Sequence, residues 1–172
     1  MRYLYVFYLI ICLVSCKTKS ELTSTVATEV VNMACPEDGT CSFGILKNKT
    51  LLIKTDNLGS IYPEMMDGIH SVLKFEYKKQ GNANYADGGY REEIFIELDA
   101  NNLEIQTVDL KDKKLFFARW CYCKGQTGYY KINQGKLSIT KIDDKIFQLR
   151  LSFKIEEVPQ IINEINHTFS LQ

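Results

Sequence analysis

Strict alternation of apolar and polar side chains is the strongest pattern in this chain. In HSVLKFEYKK, Leu73, Phe75 and Tyr77 share one side, and Lys74, Glu76 and Lys78 share the other. In REEIFIELD, Ile94, Ile96 and Leu98 alternate with Glu93, Phe95, Glu97 and Asp99. In KIFQLRLSFKI, Phe147, Leu149, Leu151, Phe153 and Ile155 alternate with Gln148, Arg150, Ser152 and Lys154. A helix would spread each set around its circumference. A strand turns successive side chains to opposite faces, one dry and one wet.

Turn formers separate these runs: TDNLG near Asp56, ADGG near Asp87, ANN near Asn101, KGQTG near Gly125, NQG near Asn133, and the pair Asp143 and Asp144. Shorter strands are expected between them, near Phe43–Leu46, Leu51–Thr55, Leu103–Val108, Leu115–Cys123, Tyr129–Ile132 and Lys136–Thr140. The chain therefore reads as mainly β, with about eight or nine strands in an antiparallel sandwich or a meander barrel. Two segments break the alternation. YPEMMDGIH, around Pro63, reads as a loop or one helical turn. VPQIINEINHTF opens with Pro159, which suits a first helical position. Ile161, Ile162, Ile165 and Phe169 then form an apolar stripe, so a short C-terminal helix is expected to pack on the sheet or plug a barrel end.

The N-terminus carries a different pattern. Arg2 precedes an unbroken apolar run from Tyr3 to Val14. This run is shorter than the roughly 20 residues that span a bilayer, but it fits the core of a secretory signal. It ends in Leu13, Val14, Ser15 and Cys16, a sequence that resembles the lipobox of bacterial lipoprotein precursors. The resemblance covers residues 1–16. It implies that residues 1–15 are removed and that Cys16, newly N-terminal, carries diacylglyceryl and acyl chains. No other cofactor is expected. Lys17, rather than an acidic residue, follows the cysteine, which the resemblance translates into an outer-membrane position. The lack of an acidic tract before Glu21 favours the periplasmic side over the cell surface. The alternative is an ordinary signal peptide with a chance cysteine.

Residues 16–34 then form a lipidated tether rich in Thr, Ser and Val. As flexible coil it reaches roughly 20–25 Å, unless VATEVV forms an edge strand. Residues 35–172 make a single β-rich domain. The whole chain has 21 basic and 21 acidic residues, well mixed, which gives no electrostatic reason to seek nucleic acid.

Of six cysteines, Cys12 lies in the leader and Cys16 in the lipobox, which leaves an even set of four. Cys35 and Cys41 flank the turn-like PEDGT, while Cys121 and Cys123 share one side of a strand. In a regular strand such i, i+2 residues lie about 6.5–7 Å apart, near the limit for a bridge. The economical arrangement ties the Cys35–Cys41 loop to the Cys121 strand by two long-range disulfides. The alternatives are two local bridges, a zinc tetrathiolate with unusual spacing, or a redox-active pair.

Candidate sites are few. His70 and His167 stand alone, and no hydrolase, metalloprotease or phosphate-loop motif occurs. Glu93, Glu97 and Asp99 could supply catalytic carboxylates but read more simply as a solvated face. Tyr85, Tyr90, Trp120, Tyr122, Tyr129 and Tyr130 surround two Gly-rich turns. They form a candidate binding patch for a peptide, glycan or small apolar ligand, or else core aromatics on strands. Asn48 and Asn166 begin sequon-like triplets that carry no weight in a bacterial chain. The function expected is a lipid-anchored, non-enzymatic envelope domain that binds a ligand or an envelope partner, or is structural. The rival is an envelope enzyme using carboxylates or a thiol pair.

Overall fold

The computed structural model describes residues 35–79, 81 and 89–171. The expected leader, the expected lipidation site at Cys16 and the expected tether lie outside them, as does Tyr85. Nine strands run through the described residues: β1 (Gly39–Thr55), β2 (Ile61–Lys79), β3 (Tyr90–Leu98), β4 (Ile105–Thr107), β5 (Leu115–Cys121), β6 (Gly128–Lys131), β7 (Gln134–Asp143), β8 (Ile146–Lys154) and β9 (Glu164–Ser170). No helix occurs among these residues.

The strands form two antiparallel sheets. One has the order β1-β2-β3-β5-β6, and the other β4-β7-β8-β9. Chain neighbours pair throughout, except where β4 visits the second sheet between β3 and β5 and where the chain crosses from β6 in the first sheet to β7 in the second. One continuous buried cluster draws Phe43, Phe75, Ile94 and Phe117 from the first sheet and Leu137, Leu149, Ile165 and Phe169 from the second. These are dry-side positions of the alternating runs, even-numbered on β3 and odd-numbered on the other strands named. Each such side chain, fully buried, contributes about 1.5–3 kcal/mol relative to exposure.

Two expectations are corrected. The C-terminal segment is strand β9, not a helix. Ile165, His167 and Phe169 are buried at a period of two, and β9 pairs with β8 from Ile146 opposite Ser170 to Ser152 opposite Glu164. An open edge of β8 and an opposing apolar face reward extension more than a short, weakly nucleated helix could. His167 serves this core, its ring centroid 4.1 Å from that of Phe43. The YPEMMDGIH segment is also strand, the first half of β2. It zips with β1 through pairs such as Ile53 with Pro63 and Leu51 with Met65.

The β1–β2 hairpin is consequently far longer than the core requires. Asp56 caps its tip, accepting the Leu58 and Ser60 N–H groups at 2.8 Å each. Its register slips at Asn48, since Lys47 pairs with Ser71 but Lys49 with Asp67. Asn48 has φ 55°, a left-handed value that asparagine accepts better than most residues. Opposite it, a Cβ on Gly68 would stand 2.1 Å from Thr50 Oγ1, so the strands approach too closely there for a side chain. Such irregularities bend a ribbon. Beyond this one, the hairpin forms an arm whose Leu51 N–H reaches Glu97 Oε2 at 2.6 Å on β3, and β2 also meets β6.

Candidate functional site

The arm meets the face of the five-stranded sheet that is turned away from the common core. Alternation places Val72 and Lys74 of β2 on this outer face, with Arg91, Glu93, Phe95 and Glu97 of β3. Phe116, Ala118 and Trp120 of β5 and Tyr129 of β6 join them. Here the polar side of the sheet is not polar throughout. Leu51, Val72, Phe95, Phe116 and Ala118 form a second buried cluster, with Leu46, Met65, Trp120 and Tyr129 packed against it. Tyr129 links the rings: its centroid lies 5.3 Å from Trp120, edge-on, and 6.2 Å from Phe95. Between arm and sheet lies a recess of about 310 Å³, lined chiefly by Leu46, Met65, Lys74 and Phe95. That volume is at the lower end of small-molecule pockets.

Charges frame the apolar surface and are paired with one another. Lys74 Nζ lies 2.6 Å from Glu93 Oε1 and 3.1 Å from Glu76 Oε2, and 5.8 Å above the Phe95 ring. Glu93 Oε2 accepts the Trp120 indole N–H at 2.5 Å, and Arg91 Nη2 stands 3.7 Å away. Burial alone would push the Glu93 carboxyl up. The hydrogen bonds from Lys74 and Trp120 outweigh it and hold the group below the usual carboxylate range. Burial likewise acts against the Lys74 charge, but Glu93 and Glu76 raise its pKa overall. Lys131 lies 5.2 Å above the Phe116 ring and donates to the Lys113 carbonyl; burial lowers its pKa. Glu97 is bound by Lys114 at 2.9 Å and by the Leu51 N–H. Glu93 and Glu97 are therefore each neutralised by a lysine rather than set against each other, which is not how a general acid and base are tuned. Asp99 lies at the end of β3, where its carboxylate accepts the Asn101 N–H at 2.9 Å.

The expected aromatic patch is divided by the sheet. Trp120 and Tyr129 share the outer face. Tyr90 and Tyr130 point to the inner face, where they pack near Tyr77 and Phe117 at 6.5 and 6.3 Å. Tyr122 projects from the turn after β5 and is 88 % exposed. The sequence reading missed Phe95, Phe116 and Met65. The signal for Phe95 was its place as the apolar member of an otherwise charged strand face.

The inner face holds an unexpected polar network. Glu92 is fully buried, and its oxygens accept Tyr90 Oη at 2.5 Å and the Ile161 and Ile162 N–H groups at 2.7 Å each. Arg119 Nε donates to Tyr90 Oη at 3.3 Å, and Arg119 Nη1 to Gln126 Oε1 at 2.9 Å. Burial, and then the Glu92 bond, push the Tyr90 phenol up to about 12.

All four domain cysteines lie in bonded pairs, but the pairing is local: Cys35 with Cys41 and Cys121 with Cys123, with Cα separations of 5.8 and 5.2 Å. The long-range arrangement fails on topology. β1 and β5 are separated by β2 and β3, and three inter-strand steps of about 4.8 Å exceed any disulfide's reach. The short pair closes because the chain leaves the strand at Cys121 and bends at Tyr122, which shortens the i, i+2 distance. Chain entropy assigns a seven-residue loop about 2.4 kcal/mol and a three-residue loop about 1.6 kcal/mol, against about 4–5 kcal/mol for the long-range alternative.

Among the described residues, no helix is long and apolar enough to cross a membrane, and no group of three or more His, Cys, Asp or Glu side chains gathers as a metal site. Compared with protein-family models, curated proteins and solved structures, the chain matches none.

Proposed function

We propose that this chain is a lipoprotein of the bacterial envelope, held by diacylglyceryl and acyl chains on Cys16 at the periplasmic side of the outer membrane. Its two sheets form a β-sandwich whose outer-face recess binds, with no chemistry at that recess, a small apolar ligand or an apolar side chain of an envelope protein. Two or three acyl chains on one residue make anchoring effectively permanent, since each buried methylene is worth about 0.8 kcal/mol. Two bonded cysteine pairs suit an oxidising, exported setting. The sandwich reading rests on the single cluster shared by both sheets.

The observation that carries the binding reading is the second apolar cluster, with its recess, on the sheet face outside the core. Phe95 and Phe116 are buried in that cluster, whereas Trp120 and Tyr129 stay half-buried on the same face. The carboxylates offered by the rival enzymatic reading are occupied by Lys74 and Lys114. Lys74, Trp120 and Arg91 converge on Glu93 and orient the rim instead.

Trp120 is the sole tryptophan, so its emission reports on this face without a label. A soluble chain beginning at Lys17 should quench on titration with the apolar probe N-phenyl-1-naphthylamine, and Met65→Glu should weaken that response at least tenfold. Quenching that is absent, or indifferent to Met65→Glu, removes the recess from consideration. The anchor is tested separately: Cys16→Ala should release the protein from membranes.

A further inference from the structure

The chain contains two local disulfides that differ in what the fold needs from them. Cys35–Cys41 spans the start of the domain, packs against the common core and closes the loop that leads into β1. Cys121–Cys123 encloses a single residue, Tyr122, which is exposed. Around that second bridge Thr127 Oγ1 lies 3.8 Å from Cys121 Sγ, and the rest of the turn is held by bonds that do not involve sulfur. Thr127 Oγ1 donates to the Cys121 carbonyl at 2.8 Å. The Gln126 N–H reaches the Cys123 carbonyl at 3.1 Å. Arg119 Nη1 donates to the Gln126 carbonyl and side chain at 3.2 and 2.9 Å. Opening the bridge therefore leaves the turn shaped and the two thiols close enough to rejoin.

All four cysteines are half-buried, but only Cys35 and Cys41 pack against the common core. Cys121 also lines a shallow surface recess of about 410 Å³, with Trp120, Tyr122, Tyr90 and Arg91 around it. A segment carrying a thiol finds there an aromatic wall and two cations, Lys78 and Arg91, in the same lining. Reactive sulfurs sit in such accessible, electropositive surroundings, whereas structural ones are enclosed. From the loop size, the backbone and side-chain bonds that hold the turn besides the bridge, and the adjoining recess, we propose that Cys121–Cys123 is an exchangeable redox couple acting on protein dithiols, while Cys35–Cys41 is structural.

The chemistry balances without a further reagent. A substrate thiolate attacks one sulfur of the bridge; the S–S bond breaks, a mixed disulfide forms and the other cysteine leaves as thiolate. The second substrate thiol gives its proton to solvent and displaces the mixed disulfide. The substrate departs as a disulfide, two electrons poorer, and the Cys121–Cys123 pair, after taking up protons, is a dithiol. In reverse, the dithiol reduces a substrate disulfide. This couple is independent of ligand binding under the β1–β2 arm.

The oxidised full chain is equilibrated in buffers of reduced and oxidised glutathione, quenched by alkylation, and each cysteine pair is counted by peptide mass. Cys121–Cys123 should be reduced at a glutathione ratio at least tenfold more oxidising than Cys35–Cys41 requires, with the far-ultraviolet β signal unchanged. The oxidised chain should also convert a reduced dithiol peptide to its disulfide one for one, and in Cys121→Ser the free Cys123 thiol should attack the disulfide form of that peptide and hold it as a mixed disulfide, releasing the peptide's other sulfur as a thiol. The proposal is overturned if the two bridges open at the same ratio, if opening Cys121–Cys123 abolishes the β signal, or if the wild-type chain leaves the dithiol peptide reduced.

Discussion

Glu92 accepts the backbone N–H of Ile162 at 2.7 Å, across 70 residues of sequence. It also accepts the N–H of Ile161 at the same distance. A carboxylate of the first sheet thus satisfies the irregular segment that leads into β9. That segment has no strand partner for these two groups, and a buried N–H left unpaired is costly. Glu92→Ala should lower stability by about 3 kcal/mol, because it strands both donors together with Tyr90 and Arg119. Glu92→Gln, which keeps acceptor oxygen, should lose less. Urea midpoints at constant slope would measure both.

The Tyr90 phenol, held at about 12 by burial and by its bond to Glu92, gives the domain an alkaline limit. An unfolded tyrosine ionises near 10. A pKa raised on folding means that the contribution is complete below pH 10 and disappears as pH climbs from 10 towards 12. Tyr90→Phe should flatten this part of the stability profile, as read by urea unfolding at stepped pH. A profile as steep in the variant as in the wild type would show that Tyr90 is not responsible.

Glu93 sets the opposite limit. Its carboxyl is held low, against burial, by the hydrogen bonds from Lys74 and Trp120. A depressed pKa contributes fully above the unfolded value of about 4.3 and is lost as pH falls through the folded one. Stability should therefore drop below pH about 4.3, and Glu93→Gln should make that decline shallower. Trp120 emission should shift over the same interval, because protonating Glu93 withdraws the charge from its indole N–H.

The bend of the arm depends on two small decisions of the backbone. Gly68→Ala would place a methyl 2.1 Å from Thr50 Oγ1 and 2.7 Å from Thr50 Cβ. The expected cost is about 1–3 kcal/mol of overpacking. Gly68→Ala combined with Thr50→Ala should recover part of it, since the space is taken by the threonine side chain. Asn48→Val, with a β-branched residue at φ 55°, should cost about 1–2 kcal/mol, whereas Asn48→Gly should be near neutral. Thermal melting of the four variants tests the set.

Alternation by itself determined that this is a β protein, and which residues of β2, β3 and β8 face the core. Period two is a local property of the chain, and a register slip would carry every apolar side chain to the wrong face. The aromatic row was legible in part. Trp120 and Tyr129 stood out as residues, but the spacing that set them on the outer face sent Tyr90 and Tyr130 inward. That assignment requires knowing which strand pairs with which. The C-terminal strand was hidden for a related reason. Ile161, Ile162, Ile165 and Phe169 fit a helical stripe in isolation, and only the open edge of β8 and the core beneath it favour extension. Disulfide pairing, the clasp of Glu92 and the arm laid over Phe95 were decided by tertiary structure alone. Each depends on distances between segments far apart in sequence, and those are set by sheet order, to which no short stretch of residues has access.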